Sequence, residues 1–319
     1  MIRTPLCDLL GINYPIIQGG MAWVGTAELA AAVSEAGGLG IIGAGNAPAD
    51  WVSAQIRRTR ARTDKPFGVN VMLLSPFAKE VIETIIEERV PVVATGAGNP
   101  GIYVPRFKEV GIITMAVVAS VALAKRLERS GVDIIVAEGM ESGGHIGEVT
   151  TMALLPQVVD AVALPVVAAG GFADGRGLVA ALSLGAQGIQ MGTRFVCCAE
   201  CIAHPNYKRK VVEAKERSTV ATGLSLGHPI RCIENKMTRQ FTEMERNGVS
   251  AEELEAFGAG KMKAGVIDGD CENGSLMAGQ IAGLIKDIKP ARAIIEEIMS
   301  EAEEVLEHLS RFGKLVIRV

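Results

Sequence analysis

The chain has 319 residues, 49% of them hydrophobic and 21% charged, which suits a globular protein with a large core and excludes a disordered tail or a coiled coil. Its 32 basic and 36 acidic residues give a net charge of −4 without a basic stripe, which argues against nucleic acid as a partner. Uncharged stretches such as residues 112–124 reach only about a dozen residues, fewer than the roughly 20 that a membrane span needs.

The N-terminal segment and the cysteine count indicate a compartment. Asp8 interrupts the only apolar run near the N-terminus, so we expect no secretion signal. Six cysteines in a chain of this size do not form a disulfide scaffold, and reduced thiols are typical of the cytoplasm. We therefore expect a cytoplasmic protein that does not bind membranes.

Eight short apolar segments predict eight buried strands, because each is rich in β-branched residues and ends in glycine or a small polar residue. In chain order they begin at Tyr14, Leu39, Phe67, Pro91, Ile112, Asp133, Pro165 and Gly188. The seven intervals average about 25 residues, the length of one strand and one helix. Helical patterns fill the gaps at residues 26–36, 76–88, 120–131 and 174–185. This order predicts an α/β fold, a TIM (β/α)8 barrel rather than an open sheet.

The sequence changes character after Arg194. Residues 197–274 are charge-dense and helical in pattern, and they lack the strand rhythm. We interpret them as a smaller helical insert after strand 8, a lid or substrate domain, with residues 1–196 and 275–319 forming the barrel. Apolar residues recur at helical spacing from Ile294 to Leu309, which predicts a last helix packed on the barrel wall.

Two glycine-rich segments, residues 169–175 and 190–194, end predicted strands 7 and 8. Barrels commonly hold a phosphate there, on main-chain N–H groups and a helix N-terminus. Glycine also ends strands for purely structural reasons, but its presence at both positions favours a phosphate. Flavin mononucleotide (FMN) is one ligand whose phosphate would fit, with Gly170, Gly171, Gly192 and Thr193 as candidates.

Other predicted strand ends are small and open, as a flat ring system requires. An isoalloxazine ring needs close main-chain approach on one face and hydrogen-bond partners along its polar edge. We interpret Gly20, Met21, Ala22, Gly45 and the Asn70 amide as candidates for this ring, although Met21 also suits an ordinary core.

His145 is the strongest catalytic candidate among the four histidines. It directly follows predicted strand 6, in a glycine-rich segment of residues 138–147, and strand C-termini form the catalytic face of a barrel. A lone histidine is more often a hydrogen-bonded structural residue, but this position favours acid–base chemistry near neutral pH.

The chain carries GGMAWV, GVNVMLLSP, TGAGNP, AEGMESGGHIG, AAGGFADG, GTRF, AHPNYK and GSLMAGQIAG in this order. With these motifs it resembles the FMN-dependent enoyl-acyl-carrier-protein reductase II family, part of the nitronate monooxygenase superfamily, over nearly its whole length. Ser142 stands where that family usually has alanine, and it would add a hydroxyl near the flavin.

The resemblance implies a reaction in which NADH or NADPH reduces FMN, and hydride then passes to the β-carbon of a trans-2-enoyl thioester on acyl carrier protein. This is the last step of the fatty-acid elongation cycle. The resulting enolate needs a proton, so we assign His145 as acid or enolate stabiliser, with the Gly143 and Gly144 N–H groups as oxyanion donors. The resemblance extends the flavin site to Glu138, Ser142, Gly143, Gly144, Gly171, Gly192, Thr193, Met277 and Gln280.

Several partner questions stay open. Met237, Met244 and Met262 suit an adaptable acyl channel or an ordinary core. The basic run Lys208–Lys210 suits an acidic carrier protein or a solvated helix face. Cys197, Cys198 and Cys201 lack a second ligand pair, so we expect no metal site, although the family is often stimulated by a monovalent cation. We also expect a homodimer. A nitronate monooxygenase, with His145 as base and O₂ as oxidant, and a non-catalytic flavin-binding barrel are the alternatives.

Overall fold

The computed structural model describes residues 2–312, and eight of its strands form one parallel sheet that curves into a barrel. Along the sheet the strands follow the order β1-β9-β8-β6-β5-β4-β3-β2. The barrel strands are β1 (Ile16–Gln18), β2 (Gly40–Gly43), β3 (Phe67–Met72), β4 (Val92–Gly96), β5 (Ile113–Val118), β6 (Ile134–Glu138), β8 (Val166–Ala169) and β9 (Gly188–Met191). All eight predicted strands are present, and the predicted TIM barrel is confirmed.

Most helices alternate with the strands on the outside of the barrel, one precedes β1, and several lie in the insert after β9. They are α1 (Pro5–Leu10), α2 (Ala27–Glu35), α3 (Ala49–Arg60), α4 (Ala78–Glu87), α5 (Val104–Glu109), α6 (Val121–Arg129), α7 (Thr151–Val159), α8 (Gly175–Ser183), α9 (Thr193–Val196), α10 (Pro205–Val212), α11 (Lys236–Arg246), α12 (Ala251–Gly258), α13 (Lys261–Val266) and α14 (Ala291–Ser310). Short 3₁₀ turns lie at Pro100–Ile102, Leu224–Leu226 and Gln280–Leu284. Among the described residues no helix is both long and apolar enough to cross a membrane.

The barrel interior is closed at one end and open at the other. Inward-facing residues of the strands, such as Ile41, Met115 and Val136, share one buried cluster with Leu6 and Leu10 of α1. Helix α1 precedes β1, so it plugs the end where the strands begin. The C-terminal ends of the strands are therefore the open end, where barrel enzymes place their sites.

A side-chain amide closes the seam between β1 and β2. These strands share a single bridge, between Ile17 and Leu39. The Gln18 side chain, fully buried, extends the pairing: its Nε2 donates to Ile41 O at 3.1 Å and its Oε1 accepts from Ile41 N at 3.1 Å. Gln18 thus supplies hydrogen bonds that a longer strand would provide through its main chain.

The insert after β9 contains a β-hairpin that the sequence analysis did not predict. Strands β10 (Thr219–Thr222) and β11 (Ile230–Ile233) pair in antiparallel fashion, and β11 also pairs with β7 (Gly144–His145), the segment that follows β6. The short β-branched runs lie among charged residues, and their partner is far away in sequence, so no local pattern indicates them. The insert's own small core is Met237, Phe241 and Leu254.

The last helix returns to the barrel wall as expected. Helix α14 packs against α8 and α2, with Ile294, Ile298 and Ala302 buried. The contact with α8 is close, because a Cβ built at Gly175 would lie 2.3 Å from Ala302 N. Leu309, near the end of the same face, is 42% exposed, so the helix leaves the wall in its last turn.

Gly40 allows α2 to lie directly on β2, and its replacement should destabilise the barrel. A Cβ at this position would lie 1.9 Å from Ala30 O, a main-chain atom that cannot move aside. We expect Gly40→Ala to lower the free energy of unfolding by about 3 kcal/mol through overpacking. Gly96→Ala is the matched control, because no atom of the described chain lies within 4 Å of its Cβ position. Urea unfolding of both variants tests this, and an equal stability of the two would contradict it.

Candidate active site

The loops after β1, β2 and β9 meet a side chain of β3 at the open end of the barrel. A Cβ built at Gly20, after β1, would lie 2.2 Å from Asn70 Cβ on β3. At Gly45, after β2, the distance to Ala22 Cβ would be 2.9 Å, and at Gly192, after β9, Met21 Sδ would be 3.5 Å away. The predicted ring-binding residues therefore form one floor, in which Gly20 permits close approach of main chain to side chain.

The ends of β8 and β9 offer unpartnered main-chain donors. Gly170 and Gly171 adopt φ values of +81° and +88°, a conformation that favours glycine. Within residues 2–312, the N–H groups of Gly170, Gly171 and Gly192 donate to no protein acceptor. Partly exposed N–H groups of this kind suit an anion such as a phosphate.

Two N–H groups at the N-terminus of α8, a helix end expected to help bind a phosphate, donate to protein carboxylates. Gly177 N donates to the capping residue Asp174 at 3.1 Å, and Gly175 N donates to Glu301 Oε2 of α14 at 2.7 Å. Both acceptors are carboxylates, which satisfy these two N–H groups and oppose the binding of an anion next to them.

Glu138 ends β6 at the same mouth. Burial raises the pKa of its carboxyl to about 7, because the charged form is poorly solvated there. A carboxyl group with this pKa holds or releases a proton near neutral pH, which is a property of many functional sites.

Glu141, which the sequence analysis missed, organises the loop that follows β6. Its carboxylate accepts from Thr151 N at 3.0 and 2.9 Å, and the Thr151 hydroxyl lies 2.8 Å from both Glu141 Oε2 and Gly170 O. Glu141 O accepts from Gln280 N at 2.9 Å. One residue therefore joins the loops after β6 and β8 to the returning segment 275–280. Its partner Thr151 is ten positions away, beyond the reach of a capping pattern.

The segment 275–280 lies directly against the loop after β6. A Cβ at Gly143 would lie 2.7 Å from Ala278 C, and one at Gly144 would lie 3.4 Å from Met277 Sδ. Gly279 N donates to the Thr193 hydroxyl at 2.9 Å. The structure thus brings together Gly143, Gly144, Thr193, Met277 and Gln280, all predicted from the family motifs.

His145 lies on β7, exposed at the mouth, opposite Ile230 of β11. Partial desolvation of its ring by the surrounding loops, and then the neighbouring His228, lower its pKa below the ordinary value. Arg231, almost fully buried, donates from Nε and Nη2 to Met140 O at 3.2 and 3.1 Å. The hairpin therefore holds the His145 loop through main-chain pairing and through a guanidinium, neither of which the sequence indicated.

Lys208 and two methionines of the insert lie in surroundings that do not suit a docking surface or an acyl channel. Lys208 is buried, and its Nζ donates to Cys198 O and Cys201 O at 2.6 Å each, so it is not part of an exposed basic patch. Met237 belongs to the small core of the insert, and Met244 packs against that core. Their contacts favour an ordinary core over an acyl channel.

The Ser142 hydroxyl is closed off from solvent and has no hydrogen-bond partner within residues 2–312. An unsatisfied buried hydroxyl costs about 1–3 kcal/mol. We therefore expect Ser142→Ala to raise the free energy of unfolding by about 1 kcal/mol. Urea unfolding with and without FMN tests this. A lower free energy of unfolding in the variant would contradict this expectation. Weaker FMN binding by the variant would support a contact between the Ser142 hydroxyl and the flavin.

The raised pKa of Glu138 predicts that the free energy of unfolding depends on pH. Between about pH 4.5 and 7 the folded protein holds a proton that the unfolded chain releases, so stability falls as pH rises through this range. The loss amounts to at most about 3 kcal/mol, and Glu138→Gln should abolish it. Urea unfolding at several pH values, with the exposed Glu148→Gln as control, measures this slope. An unchanged slope in Glu138→Gln would contradict the prediction.

Comparisons with known proteins agree with this geometry. The nitronate monooxygenase family profile matches residues 3–84 and 76–301. The structure of FabK from Thermotoga maritima superposes with a TM-score of 0.96 at 51% identity, covering 98% of this chain and 100% of that one.

Two curated relatives also match over nearly their full length. A Mycobacterium tuberculosis (3aS,4S,5R,7aS)-5-hydroxy-7a-methyl-1-oxo-octahydro-1H-indene-4-carboxyl-CoA dehydrogenase is 34% identical, with 99% of each chain covered. A probable nitronate monooxygenase of Staphylococcus saprophyticus is also 34% identical, over 96% of this chain and 99% of the relative. The profile match, the identities and the barrel with its glycine-lined mouth together show that the chain belongs to the nitronate monooxygenase family of flavoprotein oxidoreductases.

Proposed function

We propose that the protein is an FMN-dependent enoyl-acyl-carrier-protein reductase that uses NADH or NADPH. The observation that carries this proposal is the exposed His145 imidazole in the loop after β6, at the end of the barrel where the glycine-lined floor also lies. The likeness to FabK at 51% identity over the whole chain supports the reductase activity. The relative named as a carboxyl-CoA dehydrogenase supports a thioester as the substrate class.

The residues at the mouth fit FMN. The unpartnered N–H groups of Gly171 and Gly192 would hold the phosphate, and the floor at Gly20 admits a flat ring beside the Asn70 amide. When bound, FMN supplies the redox chemistry, which is the transfer of a hydride from NAD(P)H to the β-carbon of the enoyl thioester. The protein's own residues must then manage the charge and the proton that this addition requires.

In this proposal His145 supplies the proton. Hydride addition at the β-carbon leaves an enolate, and the imidazolium N–H bond breaks as the new C–H bond forms at the α-carbon. The pKa of His145 lies below its ordinary value, which makes the imidazolium a stronger acid. Gly144 takes part in the ladder with Arg231, whereas the Gly143 N–H has no partner within residues 2–312. Gly143 is thus the donor available to the thioester oxygen.

The remaining parts of the proposal concern partners. Acyl carrier protein would present the enoyl chain, and residues 197–274 would act as the lid over it. We also propose a homodimer, and a monovalent cation as an activator. Because Lys208 is buried, we expect exposed basic side chains such as Arg209 to contact the carrier protein instead.

A nitronate monooxygenase is the second candidate, favoured by the family profile and by the curated relative at 34% identity. There His145 would act as a base on a nitroalkane, and O₂ would be the oxidant. The same lowered pKa suits this role, because the neutral imidazole is then the dominant form at pH 7. A flavin-binding barrel without catalytic activity is the third candidate.

Strictly anaerobic oxidation of NADH and NADPH by the FMN-loaded protein separates these functions. We expect turnover only when a trans-2-enoyl thioester is present. Consumption of an alkyl nitronate with O₂, without enoyl turnover, would establish the monooxygenase instead. Bound FMN without turnover of either substrate would leave a flavin-binding barrel.

His145→Gln tests the catalytic role. We expect the variant to keep its FMN absorbance and to lose enoyl turnover about 10²–10⁴-fold, the usual contribution of a general acid. His308→Gln on α14 is the control, because His308 lies far along the last helix and contacts Phe312. Full activity in His145→Gln would remove His145 from the mechanism.

A further inference from the structure

A second imidazole accompanies His145 at the mouth. His228 lies in the loop between β10 and β11, and its ring centroid is 6.3 Å from that of His145, with 57° between the ring planes. Both residues are exposed to solvent. His228 belongs to the insert, so the insert contributes a titratable group directly beside the catalytic candidate.

The main chain fixes this pair on both sides. Ile146 N donates to Pro229 O at 3.0 Å, and His145 lies opposite Ile230 in the sheet. Ile146 and Pro229, which follow His145 and His228 in the sequence, are thus joined by a main-chain hydrogen bond. Strand pairing therefore fixes the main chain on which both rings are carried.

The hairpin loop that carries His228 is itself anchored. The Glu245 carboxylate of α11 accepts from Gly223 N at 3.1 Å, from Ser225 N at 3.0 Å and from the Ser225 hydroxyl at 2.7 Å. Three charge-assisted hydrogen bonds order a loop of this length well.

We propose that His228 is a positioning residue that relays protons to His145 and controls its charge, a role that rests on the proposed function. After the His145 imidazolium has given its proton to the α-carbon, the neutral ring takes a new proton from the His228 imidazolium. His228 then regains a proton from water. One N–H bond breaks and one forms at each step, so the relay needs no further reactant.

The separation of the rings suits transfer through one water molecule. A centroid distance of 6.3 Å exceeds that of two directly hydrogen-bonded imidazoles, and the structure contains no hydrogen bond between them. A bridging water between two exposed polar groups replaces a direct hydrogen bond with little loss. Without His228, the His145 imidazole would have to take up its proton directly from solvent while the substrate fills the mouth of the barrel.

The other charged groups near β7 are directed elsewhere. Arg231 on β11 donates to Met140 O, Glu141 accepts from Thr151, and Glu148 is exposed beyond the end of β7. Glu138 lies on the barrel strand below the loop. Of these groups and His228, only His228 is a cause of the lowered pKa of His145, besides burial.

NMR titration of the histidine side chains in the FMN-loaded protein tests the electrostatic part. We expect the pKa of His145 to rise in His228→Gln, because a neighbouring positive charge is removed. His308→Gln should leave the His145 titration unchanged. This measurement needs no turnover, so it remains decisive if the reductase function itself is wrong. An unchanged His145 titration in His228→Gln would overturn the proposal.

Turnover and rescue test the relay. We expect the kcat of His228→Ala to fall about tenfold, less than the loss expected for the general acid itself. Imidazole added to the buffer should restore this activity, and the alkaline limb of the kcat–pH profile should move to higher pH in His228→Gln. A merely structural role predicts neither change. Absence of rescue together with an unmoved pH profile would overturn the relay, whereas absence of wild-type enoyl turnover would overturn the proposed function instead.

Discussion

The site depends on one close main-chain contact, between the loop after β6 and the segment that returns from the insert. At Gly143 and Gly279 the two backbones approach so closely that a Cβ would lie 2.7 Å from a main-chain atom of the other segment. Glu141 O and Gln280 N join them by a hydrogen bond at 2.9 Å. The loop that carries His145 is therefore shaped by residues more than a hundred positions away, and the barrel alone does not determine it.

The hairpin of the insert extends this dependence. Strand β11 pairs with β7 at one end, and at its other end Ile233 N donates to Leu276 O at 2.9 Å. It thus touches both segments of the close contact, and Arg231 adds hydrogen bonds to Met140 O. The insert is therefore more than the proposed lid. Its hairpin is part of the framework that sets the position of the imidazole.

The sequence predicts the barrel well because each unit carries its own signal. Buried β-branched runs ending in glycine mark the strands, and Ser120 and Asp174 cap the helices that follow β5 and β8 as expected. The position of His145 after β6 follows from the same rhythm. The partners of the site do not, because Glu141 binds Thr151 across a loop and Arg231 belongs to a hairpin hidden among charged residues. Their contacts exist only once the barrel has brought distant loops together.

The seam at Gln18 bears on how the ring can assemble during synthesis. Ile16 of β1 pairs with Ile189 of β9, and towards β2 the main chain makes a single bridge, at Ile17 and Leu39. The first strand to leave the ribosome therefore waits for the last barrel strand before its edge is covered. Until then the Gln18 amide is the main supplement to that bridge. A nascent chain that stops before β9 would be an open sheet with two free edges, the form in which chaperones and proteases would meet it.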